Sequence, residues 1–509
     1  MRSKKALANI SASLLLQITT IICGFIVPRL IIGTYGSSVN GLISAIIQFL
    51  GYIALLEAGV GGVVRAALYK PLAGKDVDSI SRILKSTEKF FRKIAYIFIG
   101  YMIIVAIGFP HIVKNDFNYI FTLTLVLIIG IGTFAQYFFG ITYQLLLQAD
   151  QRLYFTSVLQ IITLIVNTII AVVLINFGAS IIIVKLCSAA VFIIRPVVLN
   201  IYVNRKYKII KDCRTDNNAL KQRWDGMGHH IAYFLHYNSP IVVLTLFTNV
   251  KEVSVYSVYL MVVVAITNLT TTFSSGIEAA FGNMIAKREE KTLHRYFNVF
   301  EFFFFCVTTV LFTSTALLII PFISVYTRGI TDVSYFRPLF AYLLVAAEAA
   351  YCIRLPYHSV VIAAGHFRQT RNGAFVEATI NIILSVILVN LYGLVGAAVG
   401  TLCAMIFRTI QYAYYLAKNI LRRRISKFFK RCTVSFLSVI VAVIIIKILP
   451  SMIINTYIKW FFYACEITAI VVAVTLLINS LFYFKDMKEL VYVVKNMFRQ
   501  KFKILENKV

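Results

Sequence analysis

Carboxylates are scarce in this 509-residue chain: Asp and Glu together number 21 against 50 Lys and Arg. The resulting net charge of +29 would point to nucleic acid in a soluble protein, but the hydropathy pattern assigns it elsewhere. Cysteine is sparse as well. None of the eight forms a C-x-x-C pair, and Cys23, Cys187, Cys306, Cys352, Cys403 and Cys465 fall inside apolar segments, so they read as small core residues and favour neither a disulfide framework nor a metal site. The glycine-rich piece Gly59-Val-Gly-Gly62 has no Walker lysine after it and no strand before it. That excludes a nucleotide-binding loop and leaves close helix packing. No polar stretch on the side opposite the N-terminus is long enough to be a domain, nor does it hold an array of Asp, Glu and His for general acid/base chemistry.

What is abundant is apolar surface. Hydrophobic residues make up 60% of the chain and mean hydropathy is +0.82, too much to hide inside a soluble domain of this size. A helical crossing needs about 20 predominantly apolar residues. Fourteen such segments are expected, at 10–32, 39–64, 94–113, 117–147, 153–175, 181–203, 231–248, 255–285, 299–326, 338–363, 372–391, 394–417, 433–449 and 458–484. The start Arg2, Lys4, Lys5 followed by an apolar run resembles a signal peptide. The run is too long for one, contains Pro28 and Arg29, and reads as the first crossing.

Alternating these crossings places thirty-nine cations on the face of the N-terminus, six on the other (Lys114, Lys251, Arg328, Arg337, Lys447, Lys459) and five within the membrane. Lys and Arg accumulate in cytoplasmic loops, so both termini are expected to be cytoplasmic. The excess charge then reads as topology and contact with anionic headgroups, with no nucleic-acid partner.

The first twelve crossings repeat as six plus six. The second helix of each half ends in a small-residue cluster with a carboxylate, Glu57-Ala-Gly-Val-Gly-Gly62 and Ser275-Gly-Ile-Glu-Ala-Ala280. The fifth helices carry Asn167 and Asn381, and the sixth carry Arg195 and Arg408. Two halves in the same orientation are related by an axis along the membrane normal, an arrangement that places a shared cavity between bundles. The expected divisions are 1–223, a six-helix bundle with its inner linker; 224–418, a second bundle; and 419–509, a helix pair and basic tail. In the tail Leu490, Val491, Val494, Met497, Phe498 and Phe502 share a helical face among cations, as in an interfacial helix or a solvated basic tail.

The five embedded cations are Arg29, Lys185, Arg195, Arg354 and Arg408. A cation at a helix centre costs about 2.5–3.5 kcal/mol on insertion scales. Arg29 and Lys185 lie near helix ends, where snorkelling and cavity lining are both open readings. Arg195, Arg354 and Arg408 lie deeper and point to a polar cavity, with structural ion pairs as the competing reading. A guanidinium grips phosphate or carboxylate oxygens in bidentate fashion at any cellular pH. Tyr351, Arg354 and His358 recur at helical spacing, so a phenol, a cation and an imidazole share one face. Glu57, Glu278 and Glu348 are candidates either for pairing with these arginines or for titrating during ion-coupled transport; Glu348 is the nearest to mid-span. Gln17, Asn167, Asn268 and Asn381 are expected to hydrogen-bond between helices or to line the pathway.

Three local patterns carry a family likeness: Val27-Pro-Arg-Leu30, Leu55-Leu-Glu-Ala-Gly59 and Leu147-Gln-Ala-Asp-Gln-Arg152. With the six-plus-six-plus-two organisation, the chain resembles the bacterial polysaccharide flippases of the Wzx type, in the multidrug/oligosaccharidyl-lipid/polysaccharide exporter superfamily. The resemblance implies a MATE-like all-α fold of about fourteen crossings. It implies translocation of undecaprenyl-pyrophosphate-linked oligosaccharide repeat units by alternating access, in the bacterial cytoplasmic membrane, with Arg195, Arg354, Arg408 and Arg29 facing the pyrophosphate or acidic sugars. It implies no cofactor beyond a coupling proton or sodium ion. The implied partners are the lipid-linked saccharide, membrane lipids, and the polymerase and glycosyltransferases of the same pathway. A multidrug or organic-cation exporter and a lipid-linked peptidoglycan precursor flippase are alternatives on the same fold. A membrane-embedded polymerase or ligase would need the outer catalytic loop that the sequence lacks.

Overall fold

The computed structural model describes residues 2–57, 59–210, 213, 223–275, 277–449, 452–493 and 495. Hydrocarbon offers no partner to a backbone N–H or C=O, so crossings must satisfy these groups within themselves, which helices do. The described residues accordingly form helices and no strand. In chain order they are α1 (Arg2–Tyr35), α2 (Ser37–Gly51), α3 (Val60–Gly74), α4 (Val77–Ile112), α5 (Tyr119–Ala135), α6 (Ile141–Ala149), α7 (Leu153–Asn176), α8 (Ile181–Lys206) and α9 (Arg223–Phe247). Then follow α10 (Val250–Ser275), α11 (Glu278–Ala286), α12 (Glu290–Tyr326), α13 (Pro338–Ala363), α14 (Phe367–Tyr392), α15 (Leu394–Asn419), α16 (Ser426–Ile448) and α17 (Tyr457–Phe482).

Among the described residues thirteen helical stretches are long and apolar enough to cross a membrane, and the chain is a multi-pass membrane protein. The remaining expected crossing, 231–248, falls almost wholly in α9, a continuous helix whose apolar sequence is interrupted by His236, Asn238 and Pro240. Two crossings read as continuous from the sequence are broken. The second runs as α2, a 3-10 turn Tyr52–Glu57 and then α3, with Gly59 at φ 82° between them. A side chain at that angle would meet its own backbone, so glycine is what permits the turn. The eighth divides likewise into α10 and α11. The expected linker between halves falls mostly on 211–222, outside the described residues apart from Cys213. Of the tail face, Leu490 and Val491 lie in a helical stretch, 484–493, and Val494, Met497, Phe498 and Phe502 lie outside the described residues.

The chain forms two compact units, Met1–Val258 with Gly329–Val333, and Tyr259–Arg328 with Ser334–Val509. In the first unit α1 packs on α7, α4 on α5, and α8 on both α5 and α7. The N-terminus of α2 is closed by Asp332, whose carboxylate accepts from the Ser37 amide at 2.7 Å and the Ser37 hydroxyl at 2.8 Å. This meets the donors that a helix start leaves open. Asn40 of α2 donates to the Ser254 hydroxyl at 2.8 Å.

In the second unit α13, α14 and α15 pack closely, and α16 and α17 lie on α12 through Leu318, Val434, Ala442, Ile446, Ile467, Val471, Val474 and Ile478. One end of this packing is fixed by charge. Glu301 of α12, fully buried, accepts from Arg431 Nε at 3.0 Å, from Arg423 Nη1 at 3.0 Å and from the Tyr357 hydroxyl at 2.5 Å. Arg431 also reaches Asp486 at 2.9 Å. The basic cluster that introduces the final helix pair therefore contributes a structural tie as well as charge.

Candidate functional site

Three breaks in ordinary helix geometry meet in the first unit. The 3-10 turn ends at Glu57, a π-helical turn Gln136–Gly140 joins α5 to α6, and Pro196 interrupts the hydrogen bonding of α8 just after Arg195. Gly140 lies against Pro196, since a Cβ on it would be 3.0 Å from the proline Cβ. At membrane depth such irregular backbone is tolerated only within protein or beside a polar hollow. Here it borders a cavity of about 640 Å³, lined by Glu57, Gln136, Tyr137, Gln144, Lys185 and Arg195 among other residues.

The hydrogen bonds in this cavity leave positive charge over. The Gln144 carbonyl accepts from Gln136 Nε2 at 3.2 Å and from Arg195 Nη2 at 3.4 Å. Glu57 is engaged by the Tyr137 phenol. Arg195 Nε is buried and has no hydrogen-bond partner, and neither Arg195 nor Lys185 forms an ion pair among the described residues. Two cations and one carboxylate line the hollow, which gives it a formal charge of +1 and an unfilled donor. Such a lining can donate to an anion with several oxygen acceptors.

The arginines of the second unit are arranged differently. Arg354 Nη1 lies 2.6 Å from Glu377 Oε1 and Arg408 Nε lies 3.4 Å from Glu377 Oε2, with all three side chains buried. Arg408 also donates to Tyr412 Oη at 3.0 Å, to the Thr370 carbonyl at 3.0 Å and to Gln411. Its position depends on Gly373 of α14, where a Cβ would stand 2.3 Å from Arg408 Nη1. The Arg354 guanidinium lies 4.8 Å from the Tyr351 ring centroid, and His358 meets the Tyr412 ring edge-on at 5.3 Å. Tyr351, His358, Arg354 and Arg408 thus belong to one neighbourhood on α13 and α15.

Glu348 is buried and accepts from the Thr267 hydroxyl at 3.0 Å. Glu278 opens α11 and is half-buried. Arg29 on α1 is half-buried, its Nη1 against Gly33. Glu377 and Glu301 were missed as site residues by sequence reasoning. The signal for Glu377 was present: it is the one acid within the apolar stretch 372–391. Among the described residues no group of His, Cys, Asp and Glu is placed to hold a metal ion.

No family model matches the sequence, and no curated protein matches it. Among solved structures the chain is similar to the lipid II flippase MurJ in an inward closed conformation, with a TM-score of 0.72 and 15% identity over 94% of this chain and 99% of that one. It is similar to an inward-facing multidrug resistance MATE family transporter of the MOP superfamily, with a TM-score of 0.64 and 11% identity over 81% of this chain and 98% of that one. A mutant of the Vibrio cholerae MATE transporter VcmN matches with a TM-score of 0.58 and 15% identity over 82% and 98% of the two chains. At these identities the likeness is one of fold. The chain has the all-helical membrane architecture shared by these transporters, as the repeat pattern predicts.

Proposed function

We propose that the chain is a flippase that moves undecaprenyl-pyrophosphate-linked oligosaccharide repeat units from the inner to the outer leaflet of a bacterial cytoplasmic membrane by alternating access, as flippases of the Wzx type do. The observation that carries this reading is the cavity bearing Arg195 and Lys185, cationic in balance and holding a buried guanidinium nitrogen without a partner. A pyrophosphate supplies the acceptors that this nitrogen lacks. An exporter of organic cations would be served by the opposite sign of charge.

Arg195 is the principal phosphate ligand in this proposal, with Lys185 as the second charge and Arg29 as a further contact. Arg354 and Arg408 hold two positive charges over one carboxylate, a net cationic patch that faces substrate with Tyr351 and His358 when Glu377 is displaced. Glu57 and Glu348 are the candidates for coupling to a proton or sodium gradient. The polyprenyl tail stays in lipid while the glycan and diphosphate cross through a wet interior. Termini facing the cytoplasm, and a polymerase and glycosyltransferases as pathway partners, complete the proposal.

A lipid-linked peptidoglycan precursor is a second reading, favoured by a fold match that spans 99% of the lipid II flippase. The two share the diphosphate and differ in glycan. Deletion in the native host, with lipid-linked saccharides assayed in each leaflet, tests both. Build-up of repeat units on the cytoplasmic side alone supports the first reading, and build-up of peptidoglycan precursor there supports the second. Outward-facing single repeat units would place the protein after translocation and overturn both.

A further inference from the structure

A second hollow lies where the basic end of α8 meets α7. It is open, encloses about 420 Å³, and is lined by Phe155, Val198, Ile201, Tyr202, Arg205 and Lys206. Phe155 and Tyr202 stack face to face with ring centroids 3.8 Å apart, which pins the two helices and gives the hollow an aromatic wall. Lys206 Nζ lies 5.3 Å from the Tyr202 centroid, and the Tyr202 hydroxyl accepts from Arg152 Nη1 at 3.4 Å.

The charges here are unequal in availability. Arg152 is neutralised by Asp150 at 2.5 Å, and Asp150 also accepts from the Tyr207 hydroxyl at 2.6 Å, with burial raising the Tyr207 phenol's pKa. Arg205 and Lys206 are exposed, have no carboxylate partner among the described residues, and share the hollow with no acid. Below them the apolar lining continues. Ile194, Val197 and Ile201 of α8 and Val158, Ile162 and Ile165 of α7 are exposed and recur at helical spacing from the hollow, an apolar track along both helices.

Two cations without a carboxylate partner among the described residues, above an aromatic wall and an apolar track, match a molecule with a phosphate at one end and acyl chains at the other. We propose that this hollow binds the headgroup of an anionic glycerophospholipid, with Arg205 and Lys206 on the phosphate and the acyl chains along α7 and α8. The site is separate from the cavity that holds Arg195 and serves a resident lipid whatever the cargo is. A zwitterionic lipid brings an ammonium group to the same two cations and fits poorly. Juxtamembrane Lys and Arg attract anionic leaflets generally; what distinguishes this pair is the lined hollow beneath it.

The test uses the full chain purified in a nonionic detergent, with binding of phosphatidylglycerol, phosphatidylcholine and inorganic phosphate read by native mass spectrometry and by thermal stabilisation. Phosphatidylglycerol is expected to bind at least about tenfold more tightly than phosphatidylcholine, since each of the two cations adds to the attraction for a net negative headgroup. Inorganic phosphate, without acyl chains to lie on the apolar track, is expected to give little stabilisation. The double variant R205Q/K206Q should lose that preference, while K208Q, which removes a neighbouring exposed charge outside the hollow, should keep it within about twofold. Equal binding of the two lipids, retention of the preference by R205Q/K206Q, or an equal loss in K208Q would overturn the proposal. Stabilisation by inorganic phosphate equal to that by phosphatidylglycerol would show a bare anion site and overturn it too.

Discussion

Replacing Glu377 by Gln should destabilise the protein more than removing either arginine that it holds. At an effective dielectric of about 20, charges 2.6 Å apart attract by about 6 kcal/mol and charges 3.4 Å apart by about 5 kcal/mol. Desolvation of the buried groups offsets much of this. The measured consequence of stripping one partner from a buried ion pair is about 3–5 kcal/mol, because the charge left behind has no compensation. Glu377→Gln leaves two guanidinium groups facing each other around a neutral amide. Arg354→Met or Arg408→Met leaves one cation on one carboxylate and should cost less. The assay is the apparent melting temperature of detergent-solubilised protein, followed by fluorescence-detected size exclusion, for the three single variants and for the double variant E377Q/R354M. We expect E377Q to melt several degrees below R354M, and the double variant to recover part of the loss. The reasoning fails if E377Q melts with the wild type, or if R354M is the more damaged of the two.

Arg195→Ala should abolish export of lipid-linked saccharide in cells while leaving the melting temperature within a degree or two of wild type, because Arg195 holds no carboxylate; a large fall in melting temperature would assign it a structural role. Arg195→Lys keeps the charge without the planar fork, so export measured by surface polysaccharide should recover only in part. Gly373→Ala forces a methyl against Gln411 and Arg408 Nη1, at 2.0 and 2.3 Å, and should lower stability by about 1–3 kcal/mol in thermal melts, with Gln411→Ala in the same chain restoring some of it.

Much of the architecture is legible in the sequence because the bilayer imposes one dominant rule. An apolar run of sufficient length has almost no alternative to a helix, so most of the crossings follow from hydropathy alone. The embedded cations are legible for the same reason, as costly exceptions to the pattern. Their partners are not, since pairing is decided by which helices pack. In the six-plus-six reading of the sequence Glu57 and Glu278 occupy matching places, which suggests them as partners for the arginines. The structure has Arg354 and Arg408 both on Glu377, Glu57 beside Tyr137, and Glu348 on Thr267. Nor can hydropathy register a break that stays apolar. Leu55-Leu-Glu-Ala-Gly59 reads as part of a continuous crossing, and the break shows in the backbone, as the 3-10 turn Tyr52–Glu57 and the positive angle at Gly59.

The π turn at Gln136–Gly140 has a consequence for how this crossing could have arisen. It amounts to one residue more than an α-helix would use, and one residue is worth about 100° of phase around the axis. Gln136 and Gln144, eight positions apart, bond side chain to side chain only because that surplus is absorbed between them. Excising a single residue, Phe139 for instance, would restore regular winding yet leave Gln144 close to its phase relative to Gln136, because seven α-helical steps fall within about 20° of two full turns. What the deletion would remove is the widened turn itself, which sets Gly140 against Pro196, while the segment stayed apolar enough to cross.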